Sequence, residues 1–253
     1  MHLLATLEFP PIGHLVEWKS FLLPGFNKVA LICVVATILT LLLFRVAGRQ
    51  AQLVPTGVQN IVESIVEFVR EGIIMQTMGP EGLSWLPFLT SLFCFIFFAN
   101  IFEVIPFIQF PAPARMAIPL SLALLVWVLF NYMGIKSQGF VGYMKSSLFP
   151  PGVPKALYLL VTPIEFLSTF LVRPFSLAVR LFANELAGHL LLVTFAVLSA
   201  ALFTKTFLVV ILPLPAVMLV LLTGFEVLVA VLQAFIFTIL TAVYIGGAMH
   251  PEH

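Results

Sequence analysis

The 253-residue sequence is 61% hydrophobic and only 9% charged, with a mean hydropathy of +1.15, far outside the usage of soluble domains and typical of a chain whose solvent is lipid. A formal charge of +1 and the lack of any basic run exclude a nucleic-acid partner. All eleven acids are Glu, and the five histidines (His2, His14, His189, His250, His253) form no cluster with metal-ligand spacing, so neither a metal nor another cofactor is expected.

The N-terminal segment, residues 1–28, is generic. Residues 29–46 are apolar apart from Thr37 and Thr40 until Arg45, close to the length that crosses a hydrocarbon core of about 30 Å. Arg45 and Arg49 stand where a cleavage site would be needed, so the run reads as a retained first span and not as a signal peptide. Cys33 and Cys94 lie inside apolar runs and read as small packing residues. After Pro55, the pattern Thr56-Gly57-Val58-Gln59 is that of a capping box, with Thr56 as N-cap. The helix it opens, 56–78, carries Val58, Ile61, Val62, Ile65, Val66, Val69 and Ile73 on one side and Glu63, Glu67, Arg70 and Glu71 on the other. Such a helix lies on the membrane surface, against a partner, or against its own protein.

A second span covers 85–105, opening on Trp85 and carrying Asn100 and Glu103 near its end, where both read as structural polar residues. Pro106, Pro111 and Pro113 mark a loop. The third span, 117–135, closes on Asn131, Tyr132 and Lys136. From Lys136 to Lys155, with Pro150, Pro151 and Pro154, the chain reads as an external loop. Residues 156–248 form a long helical hairpin. Its first arm stays apolar to roughly Phe203, which at 1.5 Å per residue is about 70 Å. It either breaks at Pro163 or Pro174 or lies strongly tilted. After Lys205, Pro213 and Pro215, the second arm runs from Ala216 to Ile245. The predicted fold is an all-α integral membrane protein of about five membrane helices plus one amphipathic surface helix. It forms a single membrane domain without internal or inverted repeats.

Arg45, Arg49, Arg70, Lys136, Lys145 and Lys155 fall on one side of these spans, and Lys19, Lys28, Arg115 and Lys205 on the other. The positive-inside rule then sets the N-terminus outside and the C-terminal Glu252-His253 inside.

Ionisable groups are costly in lipid and mark pathways or paired sites. The hairpin holds most of them: Glu165, Arg173, Arg180, Asn184, Glu185 and His189 on the first arm, Glu226 and Gln233 on the second. Arg173, Ser176, Arg180 and Asn184 are spaced by three, four and four, a polar stripe on one helix face. Arg173 can snorkel to the interface, whereas Arg180 is too deep and its charge needs compensation. With a turn near Thr206, Arg180 falls level with Gln233, and His189 with Glu226. A guanidinium keeps its proton at any working pH, so Arg180 can hold a carboxylate ionised and repel a passing cation but cannot relay a proton. His189 with Glu226 can relay one near neutrality. The structural alternative is a buried ion pair of Arg180 with Glu185 or Glu165 and an interhelical amide at Gln233.

The block Pro174-Phe-Ser-Leu-Ala-Val-Arg-Leu-Phe-Ala-Asn184, followed by Ala187-Gly188-His189, resembles subunit a of the F-type ATP synthase, the stator channel subunit of its membrane sector. So does Leu232-Gln-Ala-Phe-Ile-Phe237 with the Leu-Thr-Ala-Val-Tyr that follows. Weaker likeness covers Phe88 to Pro106 and the amphipathic segment. The resemblance implies that Arg180 is the essential arginine facing carboxylates on a rotor ring of c subunits, with Asn184 and Gln233 beside it. It implies that His189 and Glu226 line the outer half-channel, and that Glu165 and Ser176 belong to the inner one. Glu185 departs from the family pattern, in which that place is uncharged.

The implied partners are the c-ring, the peripheral-stalk b subunits and membrane lipid, in a bacterial inner membrane. The subunit itself makes no covalent bond, and no P-loop glycine motif is present. The rivals are a sodium-driven version of the same subunit, a secondary transporter, which would need matching broken helices in two halves, and a structural scaffold, in which Arg180 would tolerate neutral replacement.

Overall fold

A computed structural model describes residues 28–49, 54, 56–105, 112–149, 154, 157–203 and 210–249. The N-terminal segment, the hairpin turn near Thr206, Pro106, Pro111, Pro150, Pro151, Lys155, Lys205 and the C-terminal Glu252-His253 lie outside the described residues. The described residues are helical and contain no strand. Five helices are long and apolar enough to span a bilayer, as an all-α membrane protein requires, since a helix satisfies its own backbone groups in lipid.

Helix α1 is Lys28–Arg49. Helix α2, Val58–Val69, continues through a π-helical turn, Arg70–Ile74, into Met75–Thr77. The capping box expected at Thr56 does not form. Gly57 is the N-cap, at φ 57°, with no side-chain cap, and Gln59 Nε2 instead donates to Glu63 Oε1 at 2.7 Å. Glycine reaches that positive φ without strain and so displaces Thr as the starting residue. Val62, Val69, Ile73 and Ile74 are buried, whereas Val58, Ile61 and Phe68 stay exposed. The helix thus packs on its own protein with only part of its apolar face.

A 3₁₀ segment, Pro80–Trp85, leads into α3, Leu86–Ile101. The helix stops four residues short of the expected Ile105, and Glu103 sits in the turn that follows, its N–H donating to the Asn100 carbonyl at 3.0 Å. Helix α4 is Ala117–Gln138. The expected external loop is instead largely helical: Gly139, at φ 74°, breaks the chain between α4 and a short helix α5, Phe140–Leu148. Tyr143 of α5 folds back over Gly134, where any Cβ would meet its ring.

Helix α6, Tyr158–Leu202, is one rod of 45 residues. Pro163 lies inside it, and a π-helical turn at Ser168–Val172 immediately precedes Pro174. Arg173 N–H bonds back to Ser168, a five-residue step. The wider turn sits where the Pro174 ring would press on the carbonyl four residues earlier, so the proline is absorbed without a break. Helix α7 is Pro213–Met249, 37 residues. At 1.5 Å per residue the two rods measure about 67 and 56 Å, too long to stand upright across a core of about 30 Å.

The core gathers where α3, α4, α6 and α7 meet, around Leu89, Ile96, Val126, Phe130, Leu177, Leu181, Phe237 and Ile245. Ser137 Oγ and Gln138 Nε2 both donate to the Ala248 carbonyl, at 3.3 and 2.8 Å. These bonds tie the C-terminal ends of α4 and α7 together and fix which helix ends share a side.

Candidate functional site

The polar residues of α6 fall on two stripes. Ser176 and Arg180 are half-buried and Asn184 is exposed, while Leu177, Leu181, Glu185 and His189 are buried. Asn184 and Glu185 are adjacent and therefore point about 100° apart around the helix. One stripe faces out of the protein and the other faces α3, α4 and α7.

On the outward stripe, Arg173 places its guanidinium 5.5 Å from the Tyr244 ring centroid, a cation–π contact that offsets its charge. Beneath it, the buried Tyr143 hydroxyl donates to Asn131 Oδ1 at 3.1 Å. Arg180 has no such offset: among the described residues no carboxylate lies within ion-pair distance of it. Asn184, one turn further along the same face, is exposed.

The inward stripe meets a buried acidic group. Glu103, Glu185, His189 and Glu226 are each 5% exposed or less. His189 Nδ1 lies 3.6 Å from Glu103 Oε1, and the Glu185 carboxyl group is buried close enough to Glu103 and Glu226 for their charges to act on one another. Glu226 of α7 seats its carboxyl group against the α6 backbone at Gly188, where a Cβ would lie 2.6 Å from Glu226 Cδ. Only glycine admits that approach. Both polar atoms of the buried Asn100 amide are without hydrogen-bond partners among the described residues. A cavity of about 240 Å³ opens onto this group, lined by Glu103, His189, Leu219 and Thr223 among others.

The family description "ATP synthase A chain" matches residues 29–246. Curated relatives called ATP synthase subunit a include that of Frankia alni, 44% identical over 90% of this chain and 79% of its own. Another, from Rhodococcus erythropolis, is 42% identical over 97% and 89%, and one from Maricaulis maris is 41% identical over 90% of each. The chain belongs to the ATP synthase subunit a family.

In this member of the subunit a family, the residues singled out from sequence separate into four places. His189 and Glu226 meet in the buried group, Gly188 standing between their helices. Gln233 is buried on α7, two turns further from the hairpin turn than Glu226. Ser176, Arg180 and Asn184 lie on the outward stripe. Glu165 is half-buried and sits eleven residues before Ser176, about 16 Å along the rod. Two residues were missed. Glu103 was read as a span-end polar residue, yet it is buried against His189. Glu185 had no role, yet it is buried near Glu103. The structural alternative of an ion pair between Arg180 and Glu185 does not form, because the two leave the helix on different faces.

Proposed function

We propose that this chain is the proton-translocating stator subunit of an F-type ATP synthase membrane sector. The observation that carries the reading is Arg180: a permanent cation, half-buried on the outward face of a long membrane rod, with no carboxylate within ion-pair distance among the described residues. Such a charge needs an external partner, and a carboxylate on each subunit of a c-ring meets that need as the ring passes. The outward stripe of Ser176, Arg180 and Asn184 is then the ring-facing surface, with Gln233 behind it.

On this reading, protons reach the ring through the cavity beside Glu103, His189 and Glu226. They neutralise a rotor carboxylate, which can then face lipid, and leave after nearly a full turn past Glu165 and Ser176. Arg180 holds the arriving carboxylate ionised and blocks direct leak between the half-channels. Each proton falling through 100 mV releases about 2.3 kcal/mol, so several per turn are needed for synthesis. The subunit does no covalent chemistry itself. The chain acts as one membrane domain in a bacterial inner membrane, its N-terminus outside and its C-terminus cytoplasmic, held by peripheral-stalk b subunits.

Arg180→Ala tests this. ATP synthesis in inverted vesicles is expected to be abolished, while vesicles stripped of the soluble sector still conduct protons passively. Retained synthesis would refute the role given to Arg180.

A further inference from the structure

Helix α5 takes no part in the path proposed above, and its two sides differ. The inner side is fastened at three points. The buried Tyr143 ring fills the notch that Gly134 leaves on α4, Ser146 Oγ donates to Gln138 Oε1 at 2.7 Å, and the Phe149 ring stands 5.4 Å from that of Tyr158 on α6, centroid to centroid. Val141 and Lys145, four residues apart, share the other side, each about 160° around the helix from Tyr143. Val141 is 78% exposed and Phe140 64%, and Lys145 is exposed as well.

The depth of this element follows from α4. Tyr132 and Lys136, also four apart, are both exposed near the end of that helix, and a tyrosine followed by a lysine on one face marks a membrane–water interface. The chain turns at Gly139 just beyond, so α5 crosses the end of the bundle at headgroup depth, beside the tied C-terminal ends of α4 and α7. From Val104 to Ile164 the sequence contains no acidic residue to offset the two lysines, and among the described residues neither Lys136 nor Lys145 forms an ion pair. Helix α2 has the reverse charge at the same end of the bundle. Its continuation meets Gly246 of α7 at Met78, and its Glu63, Glu67 and Glu71 are exposed. An anionic surface is therefore repelled by α2 and attracted by α5.

We propose that α5 is a docking surface for anionic phospholipid, in which Phe140 and Val141 enter the acyl boundary while Lys136 and Lys145 hold headgroup phosphates. A helix with apolar residues and lysine on one side lies in the interface plane, and the three inner fastenings hold α5 so that this side faces outward. Each lysine contributes about a fivefold preference for anionic over zwitterionic lipid. A zwitterionic headgroup satisfies the apolar residues alone, and a protein occupant would have to supply the acidic groups that this stretch of the chain lacks.

The test uses the intact ATP synthase complex in vesicles of equal parts phosphatidylglycerol and phosphatidylcholine, with a trace of one or the other carrying a photoactivatable group beside its headgroup. After illumination, labelled peptides of this chain are measured by mass spectrometry. The phosphatidylglycerol probe is expected to label the α5 peptide on the order of twentyfold more than the phosphatidylcholine probe. Lys145→Gln is expected to cut that ratio about fivefold and Lys136→Gln/Lys145→Gln to bring it close to unity, while Arg49→Gln, at the end of α1, leaves it unchanged. All three residues are exposed, so the variants keep the fold. Equal labelling by the two probes, or a ratio that survives the double variant, overturns anionic recognition by these lysines. No labelling of α5 by either probe, with α1 labelled in the same sample, overturns the lipid surface and assigns α5 to a protein neighbour.

Discussion

Gly188→Ala is the most direct perturbation of the geometry at the buried acidic group. A methyl group there would lie 2.6 Å from Glu226 Cδ and nearer still to its Oε1, and ordinary contact begins at 3.4 Å, so the carboxyl group must retreat by roughly 1 Å. Because the atoms it meets are the end of a flexible side chain, Glu226 gives way before the helices do. The folding cost therefore falls at or below the low end of the roughly 1–3 kcal/mol typical of core overpacking. Function is more sensitive than folding, since a misplacement of about 1 Å can cost on the order of 100-fold in a positioned reaction. Gly188→Ala is thus expected to assemble normally and to lose between about tenfold and a hundredfold in passive proton flux through stripped vesicles. Pairing it with Glu226→Asp, which shortens the side chain by one methylene, should restore part of the flux. Gly48→Ala, where nothing lies within 4 Å of the added Cβ, serves as control. Wild-type flux in Gly188→Ala, or no recovery in the double variant, would refute the claim that Glu226 works from its seat on Gly188.

His189→Ala and Glu226→Ala are each expected to slow passive flux without uncoupling the complex, read as reduced flux with ATP-driven pumping reduced in proportion. Gly134→Ala forces a methyl group into the buried Tyr143 ring, whose Cζ would lie 3.0 Å away. Because an enclosed ring cannot swing aside, a loss of about 1–3 kcal/mol is expected, read as a lower melting temperature of the solubilised complex. Tyr143→Phe gives up the hydrogen bond to Asn131 at about 0.5–1.5 kcal/mol. Burial raises the Tyr143 hydroxyl above its ordinary 10.0, opposed by a hydrogen bond to Ser147 and the charge of Arg173. The unfolded chain therefore ionises first: the contribution is full below about pH 10 and falls as pH rises through that value. Thermal melts from pH 8 to 11 should show the wild type losing this increment and Tyr143→Phe lacking it.

How much of this was legible in the sequence depended on whether the determining interaction was local. The five spans were readable because the length of an apolar run is a local quantity set by bilayer thickness. The outward stripe of α6 was equally readable, since a 3.6-residue period puts Ser176, Arg180 and Asn184 on one face whatever surrounds them. The fate of Pro163 and Pro174 was not, because a π-helical turn that absorbs a proline leaves no compositional mark. Thr56 misled for a related reason: Gly57 offered the backbone a cheaper start than any side-chain cap. Glu103 was misread because its partners, Glu185 and His189, lie more than eighty residues away in sequence, and only the packing of α3 against the hairpin brings them together.

The misreading of Glu103 bears on why the site is built as it is. Arg180 and the acidic group belong to the same helix, and a direct ion pair between Arg180 and Glu185 would have satisfied both at once. The chain instead spaces them by five residues, which turns Glu185 inward and Arg180 outward. Glu185 is then buried near Glu103, and Arg180 has no carboxylate within ion-pair distance among the described residues. Had the two been spaced by four, they would have faced each other, the arginine would have been neutralised internally, and the outward stripe would have had no charge to offer a rotor. On the proposed reading, the angle of about 140° between them around the helix keeps the titratable groups off the barrier and the barrier free to engage a partner. The proposed rotary proton path requires that division of labour, and a static membrane scaffold has no use for it.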